Sequence, residues 1–524
     1  MNTDASESSI GAQEAPLLLN LLPRPGKLVM RGPLRTQLDP ALSGDERLYG
    51  AMIKGDAILL AFEKLTLGTR DVKGTGKRYS GTAWADQTGL TSANAPCDFN
   101  SVSLGGKSYA LASSNGVIRW DGTAVAPTQC TNSPTINSVH LAVHLQRLFV
   151  FISDHTLTWT DTVDASKDLN LLASWQDDAS GLTNSITVGG DDGDDPIAIA
   201  SLGRSLAIFK RRSTYLLRGD TPSSFTLQRV AADIGCVDAG SVLSYDNGVF
   251  FLSDNGFYFY DGVEFKHLSR NKVQQQLLTV TTDAALRPPK GTIKTGYGRT
   301  THLGNGLVLL VIGSQDVSNP HVTFFSMIYD VHSDAWMQFS SDALSRSTSF
   351  CWLMPTTSSS MYQSQPLGWD SKRLVYLGDI SRPDTVPESE RGKDVLSSTK
   401  HINAKWQSRL GKLTTPGTAS RVARVHLDYK FVPDNAVAEG TTGWFVSAVD
   451  GSSATVLPEV QVATQVDPPG QLGRKRAVME CHSEANDVQV RVEWRGVSSP
   501  PALATAEIYE AAVEYEPAQQ RSSY

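Results

Sequence analysis

The chain has 524 residues, of which 40% are hydrophobic, so it is long enough to bury two or three separate cores. Its formal net charge of −7 argues against a general nucleic-acid-binding protein, which would be basic. The 43 glycines and 25 prolines favour many turns and few long helices.

The first 45 residues are predicted to form a flexible segment followed by a proline-rich extended arm. Residues 1–15 are small, polar and acidic, without the basic region of a signal peptide. In the N-terminal arm, residues 16–34, four prolines disfavour a helix while the leucines call for burial. Either the chain's own domain or a neighbouring subunit supplies that surface. The candidate subunit-contact residues are Leu17, Leu19, Leu22, Pro23, Pro25 and Leu28.

Residues 46–386 are predicted to form a β-propeller. Short apolar runs alternate there with turn sequences, as in Leu206–Phe209 and Tyr215–Leu217 around a basic turn. Val249–Leu252 and Phe257–Tyr260 likewise flank a turn that contains Asn-Gly, a strong hairpin signal. At roughly 40–50 residues per blade, this segment would hold six or seven blades.

An internal repeat supports the propeller. Residues 113–122 and 253–262 share the pattern S-x-N-G-apolar-x-x-aromatic-D-G, and residues 153–161 are a looser copy. Short sheet-forming units that recur to one plan are typical of propeller blades. The aromatic residues of the repeat, among them Trp120, Trp159, Tyr258 and Tyr260, are interpreted as packing between blades rather than as platforms for nucleic-acid bases.

A linker at residues 387–400 is predicted to lead into a C-terminal β-sandwich at 401–516, with a polar tail at 517–524. The alternation of apolar and polar residues becomes strict after the linker, as in Val488, Val490, Val492 and Trp494. A period of two indicates strands with one face on a core and one in water. The fold class expected is therefore all-β, a propeller followed by a sandwich.

No pattern of catalytic or metal-binding residues stands out. The acidic run at residues 189–195 lacks the closing glutamate of a calcium loop and is interpreted as a solvated loop. His140 and His144 are too far apart in a strand for an easy shared ligand, and a glycine directly after asparagine in the repeat breaks the sialidase box. Since no G-x-S-x-G, P-loop or H-E-x-x-H sequence occurs, we expect no enzymatic activity, cofactor or bound metal.

The five cysteines and the apolar segments bear on the cellular context. The cysteines are odd in number and lack CxxC spacing, so neither a disulfide framework nor a zinc site is predicted, and folding in a reducing cytoplasm is expected. They are Cys97, Cys130, Cys236, Cys351 and Cys481. The apolar run Leu17–Leu22 is too short to cross a bilayer, and no membrane insertion is expected.

The basic turn of Lys210, Arg211 and Arg212 is the candidate rim or interface site. It could contact DNA phosphates or an acidic neighbour, or it could be a solvated hairpin turn.

Three stretches carry a family resemblance. LGRSLAIFKRRSTYLLRGD and IGCVDAGSVLSYDNGVFFLSDNGFYFYDG, together with NLLPRPGKLVMRGPL near the N-terminus, resemble tail nozzle, or tail hub, proteins of short-tailed double-stranded DNA bacteriophages. The resemblance covers most of the chain in layout and is specific over residues 16–34 and 196–262. It supplies no active-site residues.

The resemblance implies a structural virion protein that folds in the host cytoplasm and ends in the virion tail. Six copies would form a ring below the portal and adaptor, beside tail fibres and a needle or plug. Genomic DNA would pass through its lumen without specific binding during ejection. Deleting residues 1–34 should then leave the propeller folded but stop incorporation into particles. The alternatives are a receptor-binding or glycan-binding propeller and, third, a glycoside hydrolase.

Overall fold

A computed structural model provides the fold. It describes residues 17–24, 27–30, 35–38, 47–66, 69–80, 83–97, 100–112, 116–133, 137–162, 169, 172–176, 184–190, 192–274, 277, 298–314, 322–339, 352–353, 367–370, 373–376, 381, 393–395, 399–401, 404–408, 411–412, 420–431, 443–450, 452–462, 475–495 and 506–517. The regular structure there is almost entirely β-strand, with short 3₁₀ turns at Leu172–Trp175, Pro222–Ser224 and Ala239–Ser241.

Four short strands precede the first blade: β1 (Leu17–Leu19), β2 (Leu21–Arg24), β3 (Lys27–Met30) and β4 (Arg35–Leu38). Six sets of four consecutive antiparallel strands follow in chain order; the first five are separate sheets, and the sixth is part of a ten-stranded sheet. These strands are β5 (Arg47–Lys54), β6 (Ala57–Thr66), β7 (Thr69–Tyr79), β8 (Trp84–Thr88), β9 (Val102–Leu104), β10 (Lys107–Leu111), β11 (Val117–Trp120), β12 (Thr128–Gln129), β13 (Ser138–His144), β14 (Arg147–Ile152), β15 (Thr156–Trp159), β16 (Ser185–Thr187), β17 (Pro196–Leu202), β18 (Ser205–Lys210), β19 (Thr214–Arg218), β20 (Thr226–Ala231), β21 (Leu243–Tyr245), β22 (Gly248–Ser253), β23 (Gly256–Tyr260), β24 (Phe265–His267), β25 (Gly298–Gly304), β26 (Leu307–Ser314), β27 (Val322–Asp330) and β28 (Ala335–Gln338).

A seventh unit closes the propeller with a strand from the N-terminal region. The strands β29 (Trp352–Leu353), β30 (Leu367–Asp370) and β31 (Arg373–Tyr376) pair antiparallel, and β4 adds as the fourth strand. The register matches Leu38 with Leu374 and Arg35 with Tyr376. Seven four-stranded units can thus be counted in the described residues, and the chain is a β-propeller. Joining the two ends of the ring in one sheet removes the free edges that an open ring would leave.

The repeat found in the sequence marks the third strand of its blade. Residues 117–120, 156–159 and 256–260 are β11, β15 and β23 of the second, third and fifth blades. The aspartates that follow in two of them close the next turn in the same way. The Asp121 carboxylate accepts the Thr123 N–H at 3.0 Å, and the Asp261 carboxylate accepts the Val263 N–H at 2.9 Å. Trp120, Trp159, Tyr258 and Tyr260 are all buried, as their interpretation as packing residues requires.

The C-terminal part begins with β32 (Lys393–Val395) and β33 (Thr399–His401), which extend the sheet of the seventh blade. The remaining strands form the C-terminal β-sandwich: β34 (Ala404–Gln407), β35 (Gly411–Lys412), β36 (Ser420–Phe431), β37 (Gly443–Val449), β38 (Thr455–Gln461), β39 (Lys475–Ala485), β40 (Asp487–Arg495) and β41 (Ala506–Pro517). One of its sheets runs β1-β34-β40-β37-β38, with β35 also on β40, and the other runs β2-β3-β41-β36-β39.

The alternation that predicted the sandwich strands holds in β40, where Val488, Val490, Val492 and Trp494 are all buried. In β41 a bulge changes the phase. Asp428 pairs with Glu510 but the next residue, Tyr429, pairs with Ile508, so Tyr509 is the extra residue. Ile508 is therefore buried in the core, whereas Tyr509 is only partly buried.

The N-terminal arm joins the two domains. β1 pairs parallel with β28 of the sixth blade at Leu19 and Gln338, and antiparallel with β34 of the sandwich. A single sheet thus runs from the propeller into the sandwich. One hydrophobic core likewise contains Leu21 and Leu22 of the arm together with Trp336 of the propeller and Trp494 of the sandwich.

The predicted domain boundaries therefore need correction. The strands at Leu17–Leu19, Leu21–Arg24 and Lys27–Met30, assigned to a separate N-terminal segment, belong to the sandwich sheets, and Arg35–Leu38 belongs to the propeller. Two strands, β32 and β33, lie inside the predicted linker or at its end. Sequence separation hid these pairings, because a short apolar run gives no sign of which distant strand it joins. The predicted tail, 517–524, lies outside the described residues except Pro517.

Candidate functional site

A central cavity of about 690 Å³ lies where the first strands of five successive blades meet. β9, β13, β17, β21 and β25 contribute to its wall. The polar residues that line it are Asn100, Ser101, Ser103, His140, Ser201, Ser244, Arg299 and Thr300. Its volume lies within the range of small-molecule pockets, so this cavity is the candidate ligand-binding site.

His140 connects three blades at the cavity wall. Its Nδ1 accepts the Ile199 N–H at 3.3 Å, and its Nε2 lies 2.7 Å from the Asn100 side-chain nitrogen. Asn100 also donates to the Leu141 carbonyl at 3.0 Å. His144, the other histidine of β13, is 2.9 Å from the Ser201 hydroxyl. The two histidines thus face the neighbouring blade and join β13 to β17, rather than forming a shared ligand site.

Arg299 is fixed at the cavity wall by a buried carboxylate. Its Nη1 is 3.3 Å from the Asp238 carboxylate and donates to the Gly298 carbonyl at 3.1 Å. Asp238 is 1% exposed and also accepts the Gly240 N–H at 2.8 Å. A Cβ on Gly240 would lie 1.3 Å from Arg299 Nη1, so a larger residue there would displace the guanidinium.

Thr300 adds a hydroxyl group to the same wall. The residue is 7% exposed, and its Oγ1 has no hydrogen-bond partner among the described residues. Neither aspartate nor glutamate belongs to the described residues that line the cavity, and Arg299 carries the one formal charge there. The wall is therefore rich in hydroxyl and amide groups and free of anionic side chains, although the chain as a whole is acidic.

The basic turn and the acidic run, treated separately in the sequence, contact each other. Lys210 is fully buried, and its Nζ donates to the Asp192 carboxylate and to the Val188 and Gly189 carbonyls. Asp194 accepts the Arg212 N–H at 2.9 Å and the Ser213 hydroxyl at 2.6 Å. The acidic loop is thus ordered around the turn, and Lys210 is not the rim contact that the sequence suggested.

The other two residues of the turn have different roles. Arg211 reaches the fifth blade, where it donates to the Asp254 carboxylate at 2.7 Å and to the Val237 carbonyl at 3.0 Å. Arg212 is exposed. Arg212 is therefore the residue of this turn whose side chain remains open to a partner.

The contact with Lys210 changes the acidity of its neighbours. Burial raises the pKa of Asp192, but hydrogen bonds from Lys210 and from the Asp194 N–H, with the charge of Lys210, outweigh burial and leave that pKa below its usual value. Burial raises the pKa of Tyr215, whose hydroxyl donates to Asp192 at 3.2 Å, and the Asp192 charge raises it further. Asp192 is therefore held as an anion.

The N-terminal arm is largely used within its own chain. Leu22 is fully buried, and Leu19, Pro23 and Leu28 are partly buried. Leu17 lies in β1 and pairs with Gln407, while Pro25 lies outside the described residues. Of the two surfaces that the sequence left open for this arm, its own chain covers Leu22, so Leu22 is not a subunit contact.

Charge pairs cover the outer face of the sandwich sheet β2-β3-β41-β36-β39. Arg424 lies between Glu480 at 2.8 Å and Glu514 at 3.5 Å. Arg476 likewise contacts Asp428 at 2.5 Å and Glu510 at 3.7 Å. Each arginine thus has two carboxylates around it, and this face is acidic on balance.

Sequence reasoning missed the cavity residues Asn100, Arg299 and Thr300, and the buried Asp238 that contacts Arg299. Asn100 lies beside β9 of the second blade, whereas Arg299 and Thr300 lie in β25 of the sixth, so only the assembly of the propeller brings them to one cavity. The described part of the chain holds no group of three or more histidine, cysteine, aspartate or glutamate side chains placed to bind a metal. No helix among the described residues is long and apolar enough to cross a membrane.

Comparisons with known proteins give structural likenesses at low similarity. No family model matches the sequence, and no curated protein matches it. BamB from Moraxella catarrhalis aligns at 10% identity and a TM-score of 0.36, covering 68% of this chain and 92% of that one. The WD40 repeats of RRP9 align at 8% identity and a TM-score of 0.37, covering 67% and 99%. Likenesses at this level do not bear on what the chain binds.

Proposed function

We propose that this chain is a non-enzymatic structural protein of a virion tail, a subunit of the nozzle ring of a short-tailed DNA bacteriophage. The observation that carries the proposal is the joining of propeller and sandwich through β1, which pairs with β28 on one side and with β34 on the other. A shared sheet and core make the two domains one unit. A subunit of this kind suits a ring that must keep its shape while DNA passes.

The charges support the same role. A conduit should not hold DNA, because each phosphate neutralised by lysine or arginine adds affinity that would slow passage. Arg424, Arg476 and Arg495 each lie beside two carboxylates, which weakens their pull on phosphate. The propeller cavity of about 690 Å³ is far too small for a duplex. The lumen that conducts DNA would therefore lie between subunits of the assembled ring.

The test is assembly on isolated portal–adaptor complexes. The purified chain should add as a ring that electron microscopy resolves at the end of the adaptor, with six copies expected from the family resemblance. A chain that stays monomeric and does not bind the complex would contradict the nozzle role.

A second candidate function rests on the cavity. A polar pocket at the propeller axis also suits a binding protein that recognises a receptor or glycan. Retention of the chain on a glycan array, without cleavage of the glycans, would favour this role over the nozzle, and cleavage would favour a hydrolase.

A further inference from the structure

We propose that the C-terminal β-sandwich joins neighbouring copies of this chain head to tail. The outer face of one of its sheets would dock on the outer face of the other sheet in the next copy. The proposal rests on the nozzle role and deepens it, because it names the surfaces that hold a ring of copies together. Its basis is that the two outer faces of the sandwich carry charge surpluses of opposite sign.

The first surface, the groove face, is the outer side of β34, β40, β37 and β38. A groove of about 300 Å³ lies on it, lined in part by Gln407, Ser447 and Arg491. The register places these three side chains in one row across β34, β40 and β37. The row presents an amide, a guanidinium and a hydroxyl group to a partner that enters the groove.

The other charges of the groove face neutralise one another. Lys405 contacts Glu493 at 2.9 Å. Arg495 lies between Glu459 at 2.7 Å and Glu493 at 2.8 Å. Two cations are thus matched with two carboxylates, and neither carboxylate is available to Arg491.

Arg491 supplies the positive surplus of the groove face. Its side chain is exposed, and one of its N–H groups donates to Gln489 Oε1 at 3.3 Å. Among the described residues it contacts no carboxylate within ion-pair distance. Most of its five donors are therefore open to a carboxylate from outside, which a guanidinium binds in a two-pronged geometry.

The second surface, the acidic face, is the outer side of β41, β36 and β39. Its two arginines, Arg424 and Arg476, lie among the carboxylates of Asp428, Glu480, Glu510 and Glu514. Two carboxylates are thus in surplus. The side chains of Glu510 and Glu514 are 55% and 51% exposed, so both are accessible to a partner.

An apolar strip crosses the acidic face between its two rows of charges. The register places Val478, His426 and Ala512 in that strip, on three neighbouring strands. Val478 is 49% exposed, which is unusual for a large apolar side chain in the described part of the chain. Exposed apolar side chains bordered by charged ones are typical of a surface that another protein covers.

The two faces point in opposite directions, because one core lies between their sheets. Val446 and Val492 of one sheet share that core with Val425 and Leu427 of the other. Two acidic faces would repel each other, as would two groove faces, so the charges disfavour a two-fold dimer and favour contact between unlike faces. Contacts between unlike faces repeat from copy to copy, and they form a ring when the rotation closes.

The experiment crosslinks the copies in rings assembled on portal–adaptor complexes. Ser447→Cys on the groove face and Ala512→Cys on the acidic face are combined in one chain. A bismaleimide that spans about 10 Å, the spacing of packed sheets, should then give a ladder of covalent multimers up to the full ring. Either substitution alone should give no more multimers than the unmodified chain, because a head-to-tail contact never joins a face to itself.

Two outcomes would overturn the proposal and leave the nozzle role intact. One is a ring in which the doubly substituted chain gives no ladder and both cysteines still react with a maleimide, since the two faces would then be free for another protein. The other is multimers from one of the single variants, which would indicate like faces in contact. If the unmodified chain forms no ring at all, the nozzle role fails, and this proposal fails with it.

Charge reversal tests the part played by Arg491. Arg491→Glu should lower incorporation into the ring at least tenfold, whereas Arg491→Lys, which keeps the charge, should lower it by no more than about threefold. The matched control is Arg218→Glu, the same change at an exposed position of β19 in the propeller, which should leave incorporation unchanged. Undiminished incorporation of Arg491→Glu, or an equal loss in Arg218→Glu, would contradict docking of the acidic face on Arg491.

Discussion

Lys210 and Asp192 form a buried ion pair that joins two segments which the sequence presents as unrelated. The Lys210 side chain is fully buried, whereas Asp192 keeps 20% of its side chain exposed. The Val188 and Gly189 carbonyls accept the other hydrogen bonds of the ammonium. Lys210 thus occupies the centre of the acidic loop.

Replacing Lys210 by methionine should lower the free energy of unfolding by roughly 2–4 kcal/mol, because two carbonyls lose their donor and Asp192 loses its ion pair, keeping only the Asp194 N–H and the Tyr215 hydroxyl. Thermal denaturation followed by circular dichroism measures this. The matched control is Arg212→Met, two residues away and exposed, which should change stability by less than about 0.5 kcal/mol. Equal effects of the two variants would show that the loop does not depend on the Lys210 ammonium.

Stability should fall on acidification partly through His144. Burial lowers the pKa of His144, and the Arg204 backbone and the Asp220 charge offset this only in part. Because the folded pKa lies below the unfolded one, this contribution is complete above about pH 6.5 and is lost as the pH falls through the folded pKa. Urea unfolding at pH 7.5 and pH 5 should show a smaller loss for His144→Gln than for the unmodified chain. The same loss in both would exclude His144.

The turn between β13 and β14 is predicted to carry removable strain. Leu145 and Gln146 have φ of +47° and +59°, a conformation that glycine and asparagine tolerate far better. Leu145→Asn with Gln146→Gly should therefore stabilise the chain by about 1–2 kcal/mol, measured as a higher midpoint of thermal unfolding. The second blade offers the converse, since Gly105 and Gly106 form its equivalent turn. Gly105→Leu with Gly106→Gln should destabilise the chain. If Leu145→Asn with Gln146→Gly also destabilised it, the packing of Leu145 would outweigh the backbone strain.

The sequence predicted what depends on local pattern and missed what depends on distant pairing. Turn sequences and the period of two located the hairpins of the blades and the strands of the sandwich. Nothing local revealed that Leu38 would pair with Leu374, or that Lys210 would contact Asp192. The cavity was invisible for the same reason, because Thr300 and Asn100 belong to different blades and meet only when the ring closes.

The N-terminal arm gives the last prediction. Leu22 is fully buried in the core shared by propeller and sandwich, so Leu22→Ala should cost about 2–4 kcal/mol of folding free energy. Leu19→Ala, at a partly buried position of β1, should cost clearly less and serves as the control. Denaturant titration of both variants measures the difference.

Deletion of residues 1–34 should then do more than block assembly. It removes β1, β2 and β3, uncovers two sheet edges of the sandwich and opens the core beside Trp336 and Trp494. Such a chain should aggregate or unfold with separate transitions for propeller and sandwich, detectable by calorimetry. A truncated chain that stays soluble, unfolds in one transition at the original temperature and only fails to join particles would instead restore the arm as a subunit contact.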